Sequence, residues 1–264
     1  MKLPEYDLAI IGAGASGLIA ADFAVQLGTK TALLEKGLIG GDCTWTGCVP
    51  SKSLIKVATV AHHARMASRY GVHVSAPAVD MTEVREYLRG TIQHVYKPTM
   101  PDTLRKKGMG VLLGETRFLD AHTLQVGNEQ IRAKKILINT GAEPRIPAVV
   151  GLADVPYSTY LQIFDNDRLP GRMLVIGGGP IGCEIAQAYR RLGAEVSIIA
   201  ERLLPSEDPE VSEILSKVFA KEGVLRIHAR AESAHQQGSE ITVETKAGSV
   251  TGDLLFVATG RAPE

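Results

Sequence analysis

The chain has 264 residues, 45% of them hydrophobic, enough for two domains of ordinary size that each bury a core. Lysine plus arginine equals aspartate plus glutamate at 29 each, so no net field draws the protein to nucleic acid or an anionic membrane, and a small-molecule partner is expected. Three cysteines are too few for a secreted disulfide framework, and the opening residues run into a strand without a long apolar segment or a small-residue cleavage site, which reads as a soluble cytoplasmic protein.

In chain order, the apolar run Asp7 to Ile11 predicts a strand broken by Gly12, followed by a helix-compatible stretch from Ser16 to Gln26 that Gly28 stops. A second run, Lys30 to Leu34, ends in Glu35 and completes a strand, helix, strand unit with a parallel pair. Helices are predicted over Ser51 to Tyr70, with Leu54, Ile55, Val57, Ala58 and Ala61 as the apolar stripe, and over Met81 to Tyr96. Short runs at Val111 to Leu113, Thr116 to Leu119, Thr123 to Val126 and Lys135 to Asn139 predict a small antiparallel excursion that returns to the sheet. Gly141 to Pro156, rich in proline and glycine, is the expected linker, dividing the chain into 1–146 and 147–264. Beyond it the pattern repeats: strand Arg172 to Ile176, glycine turn Gly177 to Gly182, helix Cys183 to Leu192 and strand Ala194 to Ile199. A helix over Pro209 to Glu222 and short strands follow, the last from Leu254 to Ala258.

Gly12, Gly14 and Gly17 fit G-x-G-x-x-G between a strand and a helix, with Glu35 at the end of the next strand. Glycines there permit a tight turn and close approach of a pyrophosphate to the helix N-terminus, and the carboxylate accepts hydrogen bonds from a ribose. Gly177, Gly179 and Gly182 repeat the pattern, and their next strand ends at Ala200, Glu201 and Arg202. Two bound dinucleotides are implied, and the fold class is α/β: two Rossmann-like dinucleotide-binding domains, each a parallel sheet with helices plus a small antiparallel β excursion. Glu201 suits the ribose hydroxyls of NADH and Arg202 the extra phosphate of NADPH, and both readings stand.

The segment Gly40-Gly41-Asp42-Cys43-Thr44-Trp45-Thr46-Gly47-Cys48-Val49-Pro50-Ser51-Lys52 is the most specific in the chain. It resembles the redox-active segment of the class I flavin-dependent pyridine nucleotide-disulfide oxidoreductases, the family of glutathione reductase, lipoamide dehydrogenase and mercuric reductase. Asn139-Thr140-Gly141-Ala142-Glu143-Pro144 and Ala258-Thr259-Gly260-Arg261-Ala262-Pro263 look like the family's A-T-G turns, so the resemblance covers nearly the whole chain. The resemblance implies FAD on residues 1–146 and NAD(P)H on residues 147–264. It assigns cofactor contacts to Gly12, Gly14, Ser16, Gly17, Glu35, Lys36, Gly41, Asp42, Thr116, Thr140 and Gly141, and likewise to Gly260 and Arg261. To the second nucleotide it assigns Gly177, Gly179, Pro180, Ile181, Gly182, Glu201 and Arg202. Pro180 stands where many relatives carry a tyrosine gate, so access of the nicotinamide is expected to be controlled differently.

The cysteines are placed on an irregular first turn of the helix that becomes Ser51 to Tyr70, where a thiolate at Cys48 gains from the helix N-terminus. Lys52 stands one turn beyond Cys48 on the same face. By resemblance, Cys48 is the flavin-side, charge-transfer thiolate and Cys43 exchanges with substrate, and Lys52 pairs with Glu184. Cys43, near the loop end, reads as the more exposed of the two. Cys183 reads as packing, His62 and His63 as solvated helix residues, and no histidine and cysteine grouping has zinc-like spacing, so no metal site is expected.

The family pattern continues after the second A-T-G turn into a second FAD segment and an interface domain that builds a homodimer and supplies an acid/base histidine; the 264 residues contain neither. Two classes of reading follow. One is an enzyme passing electrons from NAD(P)H through FAD to the cysteine pair and on to a low-molecular-weight disulfide, lipoamide or Hg(II), a soft ion that thiolates bind. The other is a nucleotide-binding fragment without turnover. Ala200 and Glu207-Asp208-Pro209-Glu210 look closest to mercuric reductase-like members, which favours Hg(II) slightly.

Overall fold

The computed structural model describes residues 3–264, which divide into two compact units. The first comprises the residues up to Pro50, Gly90–Ala142 and Pro263–Glu264; the second comprises Ser51–Arg89 and Glu143–Ala262.

The first unit opens with strand β1 (Glu5–Ile11), helix α1 (Ala15–Gln26) and strand β2 (Thr31–Glu35). A short helix α2 (Gly41–Trp45) precedes helix α3 (Cys48–Met66), only the first residues of which belong to this unit. It resumes in the last turns of α4 (Met81–Tyr96) and continues through α5 (Pro101–Lys106). Strands β3 (Gly110–Leu113), β4 (Thr116–Phe118), β5 (Thr123–Val126) and β6 (Glu129–Ile138) follow. All six strands form one sheet in the order β3-β2-β1-β6-β5-β4. The first four pair in parallel and the last two antiparallel.

Alternation along the strands explains why this sheet is covered on both sides. Ile10, Leu33 and Val111 turn to one face, with Ala21 of α1 and Leu104 of α5. Ala9, Ala32, Leu34 and Leu112 turn to the other, with Leu124, Val126 and Ile131. A strand buried on both faces reads as an unbroken apolar run, as LAII and ALL do.

Two expectations are corrected here. Val111 to Leu113 belongs to the parallel sheet, not to the antiparallel excursion, because β3 pairs with β2. The last strand begins at Glu129, not Lys135: its early residues pair with β5, and most of its length pairs with β1. Its exposed Lys134 and Lys135 hid the continuity. Helix α5 was not expected, since it is short and opens on Pro101, a residue that also reads as a break.

The second unit takes in α3 from Ser51 and α4 as far as Arg89. Then come β7 (Ala142–Pro144), β8 (Arg172–Ile176), α6 (Pro180–Leu192), β9 (Glu195–Ile199), α7 (Pro209–Glu222) and β10 (Val224–Ile227). Strands β11 (Ala231–Gln237), β12 (Glu240–Thr245), β13 (Gly248–Gly252), β14 (Leu254–Val257) and β15 (Arg261–Pro263) finish the chain. A parallel sheet runs β10-β9-β8-β14, an antiparallel one β11-β12-β13, and β15 pairs with β7.

The grouping of residues 51–89 with the second unit follows from their apolar stripes. Leu54, Ala58, Met81, Val84 and Leu88 are buried in one cluster with Met173, Val175, Ile185, Tyr189 and Leu192. In place of one break at 146/147, the chain therefore crosses between units after Pro50, after Arg89, after Ala142 and after Ala262. Helix α6 starts at Pro180, three residues before the expected Cys183, because proline at the first helical position has its φ preset and needs no hydrogen-bond partner.

The expected linker is structured for much of its length. Val150 donates its N–H to the Glu232 carbonyl at 3.0 Å, and Ala234 donates to the Val150 carbonyl at 2.8 Å. Leu152 and Val155 are buried with Ile176, Ile199, Val243 and Val257. Among the described residues no helix is long and apolar enough to cross a membrane.

Candidate functional site

In the first unit β1 ends at Ile11 and the chain turns at Gly12, whose φ of +102° lies in the left-handed region that favours glycine. A Cβ at Gly12 would stand 2.2 Å from the Asn139 carbonyl oxygen, and one at Gly17 would stand 1.9 Å from the Gly12 oxygen. These two glycines answer to the protein's own packing. Gly14, the N-cap of α1, does not: among the described residues the nearest atom to its Cβ position is the Gly41 Cα, at 4.0 Å.

Around this turn stand the other expected contacts. The Glu35 carboxylate accepts from the Ala13 N–H at 2.7 Å and from the Gly37 N–H at 2.8 Å, so it is fixed beside the turn. Gly40 donates to the Ala13 carbonyl at 2.8 Å, which brings Gly41 and Asp42, in the first turn of α2, to the same place. Ser16 is exposed in the first turn of α1. Lys36 pairs with Glu264, which holds its ammonium above the usual lysine range, and the Thr140 hydroxyl donates to the Glu264 carbonyl at 2.7 Å. Gly141 has φ +87°. Thr116 opens β4 opposite Val126, two residues beyond Gly114, whose N–H bonds the Glu35 carbonyl.

The second unit repeats the arrangement. A Cβ at Gly177 (φ +114°) would meet the Ala258 oxygen at 2.3 Å, and one at Gly182 would meet the Gly177 oxygen at 2.1 Å. At Gly179, the N-cap of α6, no described protein atom lies within 4 Å of the Cβ position. Pro180 is exposed and Ile181 half-buried in the first turn of α6. Glu201 and Arg202 follow β9: Glu201 pairs with Arg230, and Arg202 donates to the Glu207 carbonyl at 2.5 Å. Gly260 has φ +112° and accepts from the Arg145 N–H, while the Arg261 guanidinium lies 5.1 Å from the centre of the Tyr160 ring.

The two A-T-G turns have the same structural job. Asn139 donates its N–H to the Ile11 carbonyl and Ala258 to the Ile176 carbonyl, each at 2.8 Å, so each turn closes on the first glycine of a fingerprint. The open space at Gly14 and Gly179 needs another reason, since no described neighbour forbids a side chain there. Both lie at helix N-termini where backbone N–H groups point outward, and a pyrophosphate approaching closely fits both.

Cys43 and Cys48 form a disulfide, with their Cα atoms 4.5 Å apart. Two expectations about them are corrected. Cys43 lies inside α2 rather than at a loop end, and it is half-buried, whereas Cys48, the first residue of α3, is exposed. The reason is the tight return at Gly47, where a Cβ would stand 2.8 Å from the Asp42 oxygen and 3.4 Å from the Cys43 Cα. Trp45 adds to this rigidity, donating to the Ile39 carbonyl at 2.9 Å and meeting the Tyr96 ring at a tilt, the centroids 4.9 Å apart. Neither Gly40 nor Trp45 was singled out from the sequence, although both stand in the cysteine segment.

In the second unit Lys52 pairs with Glu184, its Nζ at 2.9 and 2.8 Å from the two carboxylate oxygens. Cys183, beside it in sequence, is buried; its thiol donates to the Gly178 carbonyl at 3.3 Å, and burial pushes it up to about 11. Such a thiol is inert near neutrality. After mild reduction, iodoacetamide at about pH 8 is expected to modify Cys43 and Cys48 and spare Cys183 until the protein unfolds. Peptide mass spectrometry reads this directly, and equal labelling of all three cysteines would contradict it.

Residues 6–264 match the family model described as pyridine nucleotide-disulphide oxidoreductase. Mercuric reductase from Shewanella putrefaciens is 38% identical over 96% of this chain and 47% of its own length. Mercuric reductase from Bacillus cereus is 34% identical over 98% of this chain and 42% of its own. The solved structure of the HOCl-induced flavoprotein disulfide reductase RclA from Escherichia coli superposes with a TM-score of 0.84 at 25% identity, covering 98% of this chain and 57% of that one. The chain thus spans about half the length of the curated relatives it matches.

Proposed function

The chain belongs to the pyridine nucleotide-disulphide oxidoreductase family, and from that premise we propose that it serves a flavin-dependent disulfide reductase in which electrons pass from NAD(P)H through FAD to the Cys43–Cys48 disulfide. One observation carries the reading: a disulfide at the start of a helix shares a chain with two glycine turns whose middle glycines have room for a Cβ that the protein does not use. Within residues 1–146, FAD is assigned to the part that belongs to the first unit, around Gly14, Glu35, Gly41 and Thr140, and NAD(P)H is assigned to residues 147–264, around Gly179, Glu201 and Arg202.

Bound FAD supplies a relay for two electrons between the nicotinamide and the disulfide. The protein's own residues do the rest. With two electrons and two protons, Cys43–Cys48 opens to two thiols. Cys48, at the N-terminus of α3, is stabilised as a thiolate by the outward N–H groups of the first turn. By resemblance to the family, the Cys43 thiolate attacks a disulfide substrate and releases one substrate thiol; Cys48 then displaces the other and restores the pair. The Lys52–Glu184 pair is assigned a positioning role on the same helix as Cys48. Among substrates, Hg(II) is favoured by the likeness to enzymes named mercuric reductase, and two thiolates suit so soft an ion.

The test is a visible absorption spectrum of the purified protein with FAD, before and after anaerobic titration with NADH and with NADPH. A bound-flavin spectrum that develops a long-wavelength band is expected. Protein that stays colourless after FAD is added and removed by gel filtration would overturn the reading.

A further inference from the structure

The end of β9 lies against the second glycine turn. A Cβ at Gly178 would stand 2.5 Å from the Arg202 carbonyl oxygen and 2.8 Å from the Ala200 Cβ, and Leu204 donates its N–H to the Gly178 carbonyl at 2.6 Å. In a strand, helix, strand nucleotide unit this is the place of the adenosine ribose. A lone carboxylate there accepts hydrogen bonds from both ribose hydroxyls and suits NADH.

The carboxylate here is not alone. Arg230 donates from Nε to Glu201 Oε2 at 2.6 Å. Arg226 bonds the Glu201 carbonyl, the Ala200 carbonyl at 3.4 Å and the Ser216 hydroxyl at 3.1 Å. Arg202, next in the chain, reaches the Glu207 carbonyl. Two guanidiniums therefore bond Glu201, one at its carboxylate and one at its carbonyl, and a third belongs to the next residue in the chain. The three differ in freedom. Arg226 is tied to backbone oxygens and half-buried, whereas the Arg230 side chain is 82% exposed and its Glu201 partner 58%. An ion pair that exposed contributes little and exchanges readily, so Arg230 can leave Glu201 for a better anion.

Resting on the reading that this turn holds NAD(P)H, we propose that Arg230 is the residue that sets preference for NADPH over NADH. It neutralises Glu201, which would otherwise repel a 2′-phosphate, and with Arg202 it supplies that phosphate with charge-assisted donors. Arg226 holds the strand end in place and adds fixed positive charge. Glu201 remains able to accept from a ribose hydroxyl, so NADH is bound more weakly rather than excluded.

Calorimetric titration of the full chain tests this without FAD and without turnover, using adenosine 2′,5′-bisphosphate against 5′-AMP, and NADPH against NADH. The 2′-phosphorylated member of each pair is expected to bind about tenfold more tightly. Arg230→Gln, at an exposed position that carries no packing, is expected to close that gap by weakening the phosphorylated ligand alone, and Glu201→Gln to widen it. Equal or tighter binding of 5′-AMP and NADH by the unaltered chain, or an unchanged gap in Arg230→Gln, overturns the proposal and leaves the nucleotide reading standing. Absence of binding by all four ligands overturns that reading as well.

Discussion

Replacing Cys48 by serine is expected to abolish turnover with any disulfide substrate, a loss of at least about a thousandfold, while FAD stays bound. Serine is a good residue for a helix start and Cys48 is exposed, so α3 keeps its beginning and no cavity opens. What disappears is the second sulfur. Cys43 can still attack a substrate disulfide, but a hydroxyl cannot displace it from the mixed disulfide, and the cycle halts after one event. The long-wavelength band on anaerobic reduction should vanish from Cys48→Ser and persist in Cys43→Ser. Loss of the band in Cys43→Ser alone would reverse the assigned order of the two sulfurs.

A pair of alanine substitutions, at the N-cap and in the first turn of α6, should separate folding from binding. At Gly182 the new methyl would have to occupy a point 2.1 Å from the Gly177 oxygen, an overlap with backbone that no side-chain movement relieves. Gly182→Ala is expected to lower unfolding free energy by about 3 kcal/mol or more, in the range of severe single substitutions. At Gly179 the methyl meets no described atom, and the cost should stay within about 1 kcal/mol, the ordinary difference between residues at an N-cap. It would, however, fill the space assigned to the pyrophosphate, so NADPH affinity should fall by at least about tenfold. Urea denaturation and calorimetry measure the two quantities independently. Gly179→Ala that binds normally would show that the open space has another purpose.

Local features of this fold were legible in the sequence because local physics sets them. The strand, glycine turn and helix units at Ile11–Gly17 and Ile176–Gly182 are written in spacing and apolar runs, and Met81–Tyr96 was readable from its apolar period alone. Features set by distant packing were not. Nothing near Leu54 or Leu88 says that their stripes bury against Ile185 and Tyr189 more than ninety residues on, so residues 51–89 could not be sorted to the second unit. Strand β6 was shortened for a related reason: its lysines face outward, and its early residues answer to β5 while the rest of the strand answers to β1. Among the candidate site residues, the Lys52–Glu184 pair was reachable only through family resemblance. Arg230 was missed because it precedes β11, twenty-nine positions from the carboxylate it meets.

The segment after Ala142 illustrates how composition can mislead a protein engineer. Its prolines and glycines invite a tag, a cut or an inserted domain, yet Val150 is hydrogen-bonded to Glu232 and Ala234, and Gly151 (φ +73°) has room for no Cβ, the Ala234 oxygen standing 2.4 Å away. An insertion there would strip backbone partners and expose Leu152 and Val155. The hairpin tip at Gly238 and Ser239, exposed and clear of neighbours around the glycine, is the site at which foreign sequence would be carried at least cost to the second unit.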